Sequence, residues 1–154
     1  MWWIMKTILT HFLFIAIVVG LGALSGVSNM PGEWYQSLQK PFFQPPSWIF
    51  APVWTTLYVL IAIAGARTWL DAPASGRMQI WFVQMILNFL WSPAFFGQQS
   101  PMLGLLVIIP LLASIVAFLA LSWNRDRISA WMFIPYVAWV SFATLLNTSI
   151  VVLN

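Results

Sequence analysis

Apolar residues run in five long blocks along this chain, and polar residues fall mostly between them. The blocks cover about residues 8–27, 48–70, 78–96, 102–123 and 129–153. Each is close to the roughly 20 residues that a helix needs to cross the hydrocarbon of a bilayer. The connections at 71–77, 97–101 and 124–128 are short, whereas residues 28–47 form a longer one. Inside lipid the backbone must satisfy its own hydrogen bonds, so each block predicts a transmembrane α-helix. The expected fold class is all-α: one domain over residues 1–154, a single bundle of five transmembrane helices with a structured loop between helices 1 and 2. Lys6 ahead of an apolar run, with Ala23-Leu24-Ser25 behind it, loosely matches a signal peptide. The run is too long for that pattern and no polar domain follows it, so it reads as helix 1.

The 28–47 connection is too patterned to be a plain linker. Pro41, Pro45 and Pro46 forbid one continuous helix. A short helix is expected to begin at Pro31, capped by Asn29 or Ser28, and to turn Trp34, Tyr35 and Leu38 onto the mouth of the bundle. Lys40-Pro41 would end it, and Pro45-Pro46 would hold the return extended until Ser47 caps helix 2. Pro31, Leu38, Lys40, Pro41, Pro45 and Pro46 are thus the expected parts of a lid. Lys40 is the only cation at this end, free to pair with a ligand carboxylate or with Glu33.

Composition narrows the function. The chain is 62% hydrophobic and only 6% charged, against about 25% charged in an average soluble domain. Its net charge of +3 reflects an asymmetry in which Lys6, Arg67, Arg77, Arg125 and Arg127 lie at one end of the bundle and Lys40 at the other. By the positive-inside rule the N-terminus is cytoplasmic, and the long loop and C-terminus face outside an integral, multi-pass cell-membrane protein. No basic cluster reaches the size of a polybasic patch, so no nucleic-acid partner is expected. There is no cysteine, hence no disulfide, thiolate nucleophile or Cys-ligated metal. The one histidine, His11, lies at the end opposite the loop, and the acids Glu33, Asp71 and Asp126 sit in loops or at helix ends. No metal site, no His-ligated haem and no carboxylate pair are expected, and a proton-driven pump does not fit.

What remains is aromatic and weakly polar: 11 Trp, 12 Phe and 3 Tyr. Trp2, Trp3, Trp123 and Trp131 fall at span ends, where Trp belts are usual. Others lie deep. Trp54 and Tyr58 share a face of helix 2. Gln84, Asn88 and Ser92 make a polar stripe on helix 3 with Trp91 beside it, and Phe95 and Phe96 follow an expected kink at Pro93. Trp139, Ala143 and Asn147 line helix 5 with Phe142 adjacent. Amides in hydrocarbon point inward, to other helices or to a ligand. Three such faces under an aromatic lid predict a pocket for a flat apolar molecule with a few polar handles. The expected ligand-binding set is Trp34, Tyr35, Trp54, Tyr58, Gln84, Asn88, Trp91, Phe95, Trp139, Phe142, Ala143 and Asn147. Gly22 and Gly26 on helix 1, and Ala113 and Ala117 on helix 4, form small-xxx-small steps that suit helix packing within the bundle or in a homodimer.

The motifs resemble those of the TspO/translocator protein family, also called tryptophan-rich sensory proteins or peripheral-type benzodiazepine receptors, in its bacterial type. The resemblance rests on Glu33-Trp34-Tyr35 through Leu38, Lys40-Pro41, Pro45-Pro46 and Pro52-Val53-Trp54. It continues in Asn88-Phe89-Leu90-Trp91-Ser92-Pro93, Phe95-Phe96-Gly97, Pro135-Tyr136-Val137-Ala138-Trp139, Ala143-Thr144 and Leu146-Asn147. It implies five transmembrane helices, a cavity toward the loop, homodimers, and binding of porphyrins and synthetic isoquinoline or benzodiazepine ligands. The expected function is a membrane receptor or carrier for porphyrins (tetrapyrroles) and similar flat hydrophobic ligands, in tetrapyrrole regulation or stress sensing. No cofactor is obligatory; a protoporphyrin IX-type tetrapyrrole is the expected ligand, and membrane lipid and a second copy are the other partners. The alternative is an enzyme that degrades porphyrin in light, in which the family's two cavity tryptophans correspond to Trp54 and Trp139 as catalytic candidates. The family's sterol-recognition pattern needs a Tyr followed by Lys or Arg, and residues 147–154 contain neither.

Overall fold

The hydrophobic blocks fold as helices in the computed structural model, which describes residues 1–154. In chain order they are α1 (Trp2–Ser28), the short α2 (Glu33–Ser37), α3 (Phe50–Asp71) preceded by a 3₁₀ turn at Ser47–Ile49, and α4 (Gly76–Ser92). A π-helical turn at Pro93–Gly97 follows, then α5 (Pro101–Ser122) and α6 (Arg127–Leu153). Five of these helices are long and apolar enough to cross a membrane. Around the bundle the neighbours run α1, α3, α6, α5, α4, and α4 closes back on α1 and α3. The second to fifth spans start and stop within two residues of their expected bounds. The first starts at Trp2 rather than Ile8. Lys6 does not interrupt it, and the hydroxyls of Thr7 and Thr10 bond back to Trp3 O and Lys6 O, one turn earlier.

Close helix approach is set by small residues at a few points. A Cβ on Gly65 of α3 would stand 2.4 Å from the Trp81 ring of α4. That indole instead donates to Ile61 O at 2.9 Å. On α1, a Cβ on Gly22 would meet Tyr58 of α3 at 2.4 Å, while Gly26 has nothing within 4 Å. The two glycines therefore do not form one packing surface: Gly22 is used inside the bundle and Gly26 is exposed. On α5, Ala113 is exposed and Ala117 half-buried. Helix α1 is peripheral, with only Val18 and Gly22 buried. The centre is held by α5 and α6, where the Phe118 and Phe133 rings pack 4.2 Å apart.

The basic end is tied by ion pairs. Arg67 on α3 reaches Asp126 with two bonds, 3.0 Å from Nε and 2.8 Å from Nη2. Asp126 also caps α6, accepting from Ser129 Oγ at 2.6 Å and from its backbone N–H. Burial alone would push this carboxyl up, but the Arg67 and Ser129 hydrogen bonds outweigh it and hold the pKa at about 2. The buried Arg77 at the start of α4 pairs with Asp71 at the end of α3, closing the connection between them.

Candidate functional site

At the opposite end lies the loop, and its short helix is built differently from the sequence expectation. Helix α2 starts at Glu33 with Gly32 as its cap residue and no side-chain cap bond. Asn29 does not cap it, because its carboxamide closes α1 instead, donating from Nδ2 to Ser25 O at 3.0 Å. Ser47 does not cap the return either; Pro46 precedes the 3₁₀ turn without a side-chain bond. Leu38 is already extended after the helix. Lys40 does not pair with Glu33. Its ammonium donates to Tyr35 O at 2.7 Å and Leu38 O at 3.3 Å, and lies 4.4 Å from the Tyr35 ring. The free carbonyls at the end of α2 are the nearer and better placed acceptors. Pro41 is buried beneath the loop, Pro45 is half-buried, and Pro31 and Pro46 are exposed.

The lid residues rest on the π-helical turn. The extra residue in that turn follows Pro93, whose missing N–H breaks the regular ladder. Its wider register is closed by bonds from Gln98 N to Pro93 O and from Ser100 N to Phe95 O. This seats Phe95 beneath the loop. Trp34 meets the Phe95 ring edge-on at 5.8 Å, and Tyr35 meets Phe96 at 5.3 Å. From below, Trp91 stacks on Phe95 at 5.1 Å. Tyr35 accepts a hydrogen bond from Gln44 Nε2 at 2.9 Å. Burial pushes its phenol pKa up, with the Gln44 bond pulling less strongly the other way.

Below the lid the three predicted faces meet. Trp54 stacks on Tyr58 at 5.4 Å and meets Tyr136 edge-on at 6.4 Å. Tyr58 OH donates to Asn88 Oδ1 at 3.1 Å, Asn88 Nδ2 donates to Tyr136 OH at 2.7 Å, and Tyr136 OH donates to Gln84 Oε1 at 2.8 Å. The chain of bonds thus links α3, α4 and α6. Trp91 Nε1 donates to Asn147 Oδ1 at 3.1 Å, and Asn147 Nδ2 donates to Pro101 O at 2.8 Å, fastening α6 to the start of α5. Trp139 lies between Phe50 at 5.7 Å and Phe142 at 5.8 Å, and Ala143 packs at the edge of the same core. Two enclosed donors end without a partner: Gln84 Nε2 and Trp139 Nε1.

The twelve candidate residues therefore run from the middle of the bundle, where Gln84 and Trp139 lie about halfway along α4 and α6, up to the loop, but with different employments. Asn147 and Trp91 bind each other, and Asn88 is committed to two tyrosines. Sequence reasoning missed Tyr136, which is fully buried and joins two amides. It also missed Phe50, Phe43 and Gln44. Tyr136 had a signal, since it lies one turn from Trp139 on a helix rich in inward residues.

The TspO/MBR family profile fits residues 13–153. The chain belongs to the TspO/MBR family. Among its relatives, the protein CrtK of Rhodobacter capsulatus is 39% identical over 150 residues, covering 95% of this chain and 94% of that one. The tryptophan-rich protein TspO of Archaeoglobus fulgidus is 40% identical over 140 residues, 90% of this chain and 91% of its own. The translocator protein of Bos taurus is 34% identical over 140 residues, with 85% and 82% covered. Family membership and five apolar helices make this an integral multi-pass membrane protein with a receptor or sensor role.

Proposed function

We propose that this TspO/MBR family member is a receptor or carrier for porphyrins and similar flat apolar ligands, held between α3, α4 and α6 under the loop. The observation that supports it is the pair of enclosed, unpartnered donors, Gln84 Nε2 and Trp139 Nε1, among aromatic rings. A buried N–H without an acceptor costs free energy, and a tetrapyrrole offers imine nitrogens and propionate oxygens to accept it. The rings supply stacking faces. In this reading the loop end faces outward and the basic end the cytoplasm, as the charge asymmetry directs. A second copy would dock on the exposed surface that carries Gly26 of α1 or Ala113 of α5.

Fluorescence titration of protoporphyrin IX into purified protein tests the reading. Trp139→Phe keeps an aromatic face, though a smaller one, and removes the donor, and should weaken binding about fivefold. Trp139→Ala removes the stacking face as well and should cost roughly tenfold or more. If both folded variants bind like the parent, the pocket lies elsewhere. A single monomer mass in mild detergent at every concentration would remove the second copy.

A further inference from the structure

The residue that follows α6, Asn154, grips the loop. Asn154 Oδ1 accepts from the backbone N–H of Gln39 at 3.0 Å, and Asn154 Nδ2 donates to Gln39 O at 3.0 Å. The carboxamide thus matches both backbone groups of one loop residue, as a neighbouring strand would. Its second N–H donates to Ile150 O at 2.9 Å, which fixes the amide on α6. Every hydrogen-bonding direction of this side chain but one oxygen lone pair is spent on holding Gln39 or on aiming the grip.

Immediately beyond the grip, a groove of about 430 Å³ separates the loop from α6. Lys40, Pro41 and Phe42 line one wall, and Thr148, Ser149, Val152 and Leu153 the other. From it a line of rings leads inward. Phe42, fully exposed, meets Phe43 at 5.3 Å; Phe43 meets Phe142 at 6.3 Å; Phe142 meets Trp139 at 5.8 Å. Trp139 carries one of the two unpartnered donors. Nothing stronger than ring contacts joins the loop to α6 along this line, because the hydroxyls of Thr148 and Ser149 bond back into their own helix.

We propose that the Asn154 carboxamide is a latch holding the loop to α6, and that its release opens this groove as a side door to the site. The door lies between Phe43 and Phe142. It suits an amphipathic ligand, flat and apolar with an acidic group, because Lys40 stands at its rim. This inference rests on the porphyrin-binding reading for its ligand, but the latch itself can be tested without one.

Two measurements decide it. Hydrogen exchange in detergent should show the Gln39–Gln44 amides of Asn154→Ala exchanging about fivefold to tenfold faster than the parent, the yield of two weak exposed bonds. Asn154→Asp keeps the acceptor and loses the donor, so it should fall between. In stopped-flow with protoporphyrin IX, Asn154→Ala should speed association and dissociation by a similar factor and leave Kd within about twofold, since a gate acts on both directions. The parent has no cysteine, so Gln39→Cys with Asn154→Cys allows a short bis-maleimide to lock the loop, which should slow both rates. Unchanged exchange in Asn154→Ala overturns the latch, and a locked variant that binds as fast as the parent overturns the door. If the parent binds no porphyrin, the function proposed above fails, the door falls with it, and exchange alone decides the latch.

Discussion

The two ends of the bundle are held by different physics. At the basic end, charges close the helices: Arg67 on Asp126, Arg77 on Asp71, and Ser129 on the same Asp126 cap. At the loop end no ion pair acts. Rings, amides and one backbone grip do the holding. Directional charge pairs fix helix ends in one arrangement, whereas ring contacts slide at small cost. For the binding function proposed above, this arrangement keeps rigidity at one end of the bundle and deformability at the other.

The glycines give the largest test of that contrast. Gly65→Ala would drive a methyl into the Trp81 ring between α3 and α4 and break the indole bond to Ile61. Overpacking of this kind costs roughly 1–3 kcal/mol, visible as a lower Tm in detergent with porphyrin affinity unaltered per folded molecule. Gly22→Ala makes a contact as short, against Tyr58. There the ring can yield by giving up its bond to Asn88, so stability should fall less and affinity should change. Equal loss of stability at both sites, with affinity intact, would erase the distinction between the ends.

Asp126→Ala comes next. The pair is partly shielded, with side chains 34% and 12% exposed. Arg67 can turn to water once its partner is gone, so the expected cost is about 1–2 kcal/mol, between the values for exposed and buried pairs. The pH dependence has a definite sign. The folded carboxyl sits at about 2 against an ordinary 3.8. Its contribution is present above the ordinary value and is lost as pH falls from about 5 through 2. Thermal melts from pH 7 to 3 should show the parent losing stability and Asp126→Ala losing less.

How much of this the sequence disclosed also differs between the ends. Spans were legible because hydropathy and length alone define a helix in lipid. Only the start of α1 was misplaced, since Lys6 reads as a boundary but a terminal lysine can extend into the interface without ending a helix. The inward faces of α3, α4 and α6 followed from four-residue spacing. The caps did not, because Asn29 had two uses within reach, and closing α1 won over starting α2. Asn154 was illegible for a different reason: its partner Gln39 lies 115 residues away, and no local pattern encodes that contact.

A smaller effect is expected from Tyr136→Phe. The hydroxyl accepts from Asn88 and donates to Gln84. Its removal leaves both amides short of a partner, yet interhelical bonds in membrane proteins average only about 0.6 kcal/mol each. A loss of about 1 kcal/mol is therefore expected in melts. Gln84 would then have its oxygen unmet as well as its N–H. If the loop end is the deformable one, affinity for protoporphyrin IX should shift by a few fold while the basic end, followed by the Asp126-dependent acid transition, stays put.

The smallest effect belongs to the lid and appears only in alkali. Burial against Phe95 and Phe96 raises the Tyr35 phenol above its ordinary value of 10.0, with the Gln44 bond opposing. A group whose folded pKa is raised lends stability below its ordinary value and withdraws it as pH climbs through the folded one. The lid should therefore hold to about pH 10 and loosen above it, since ionising Tyr35 requires the ring to leave its aromatic seat for water. Absorbance near 295 nm would follow the tyrosinate. Exchange of the Gln39–Gln44 amides, corrected for intrinsic alkaline acceleration, would follow the loop. Tyr35→Phe keeps the ring contacts and loses only the part-buried Gln44 bond, about 1 kcal/mol, so its loop should be slightly looser at pH 7 but show no alkaline step. A parent loop that loosens no more than the Tyr35→Phe loop above pH 10 would mean that Tyr35 does not hold the lid.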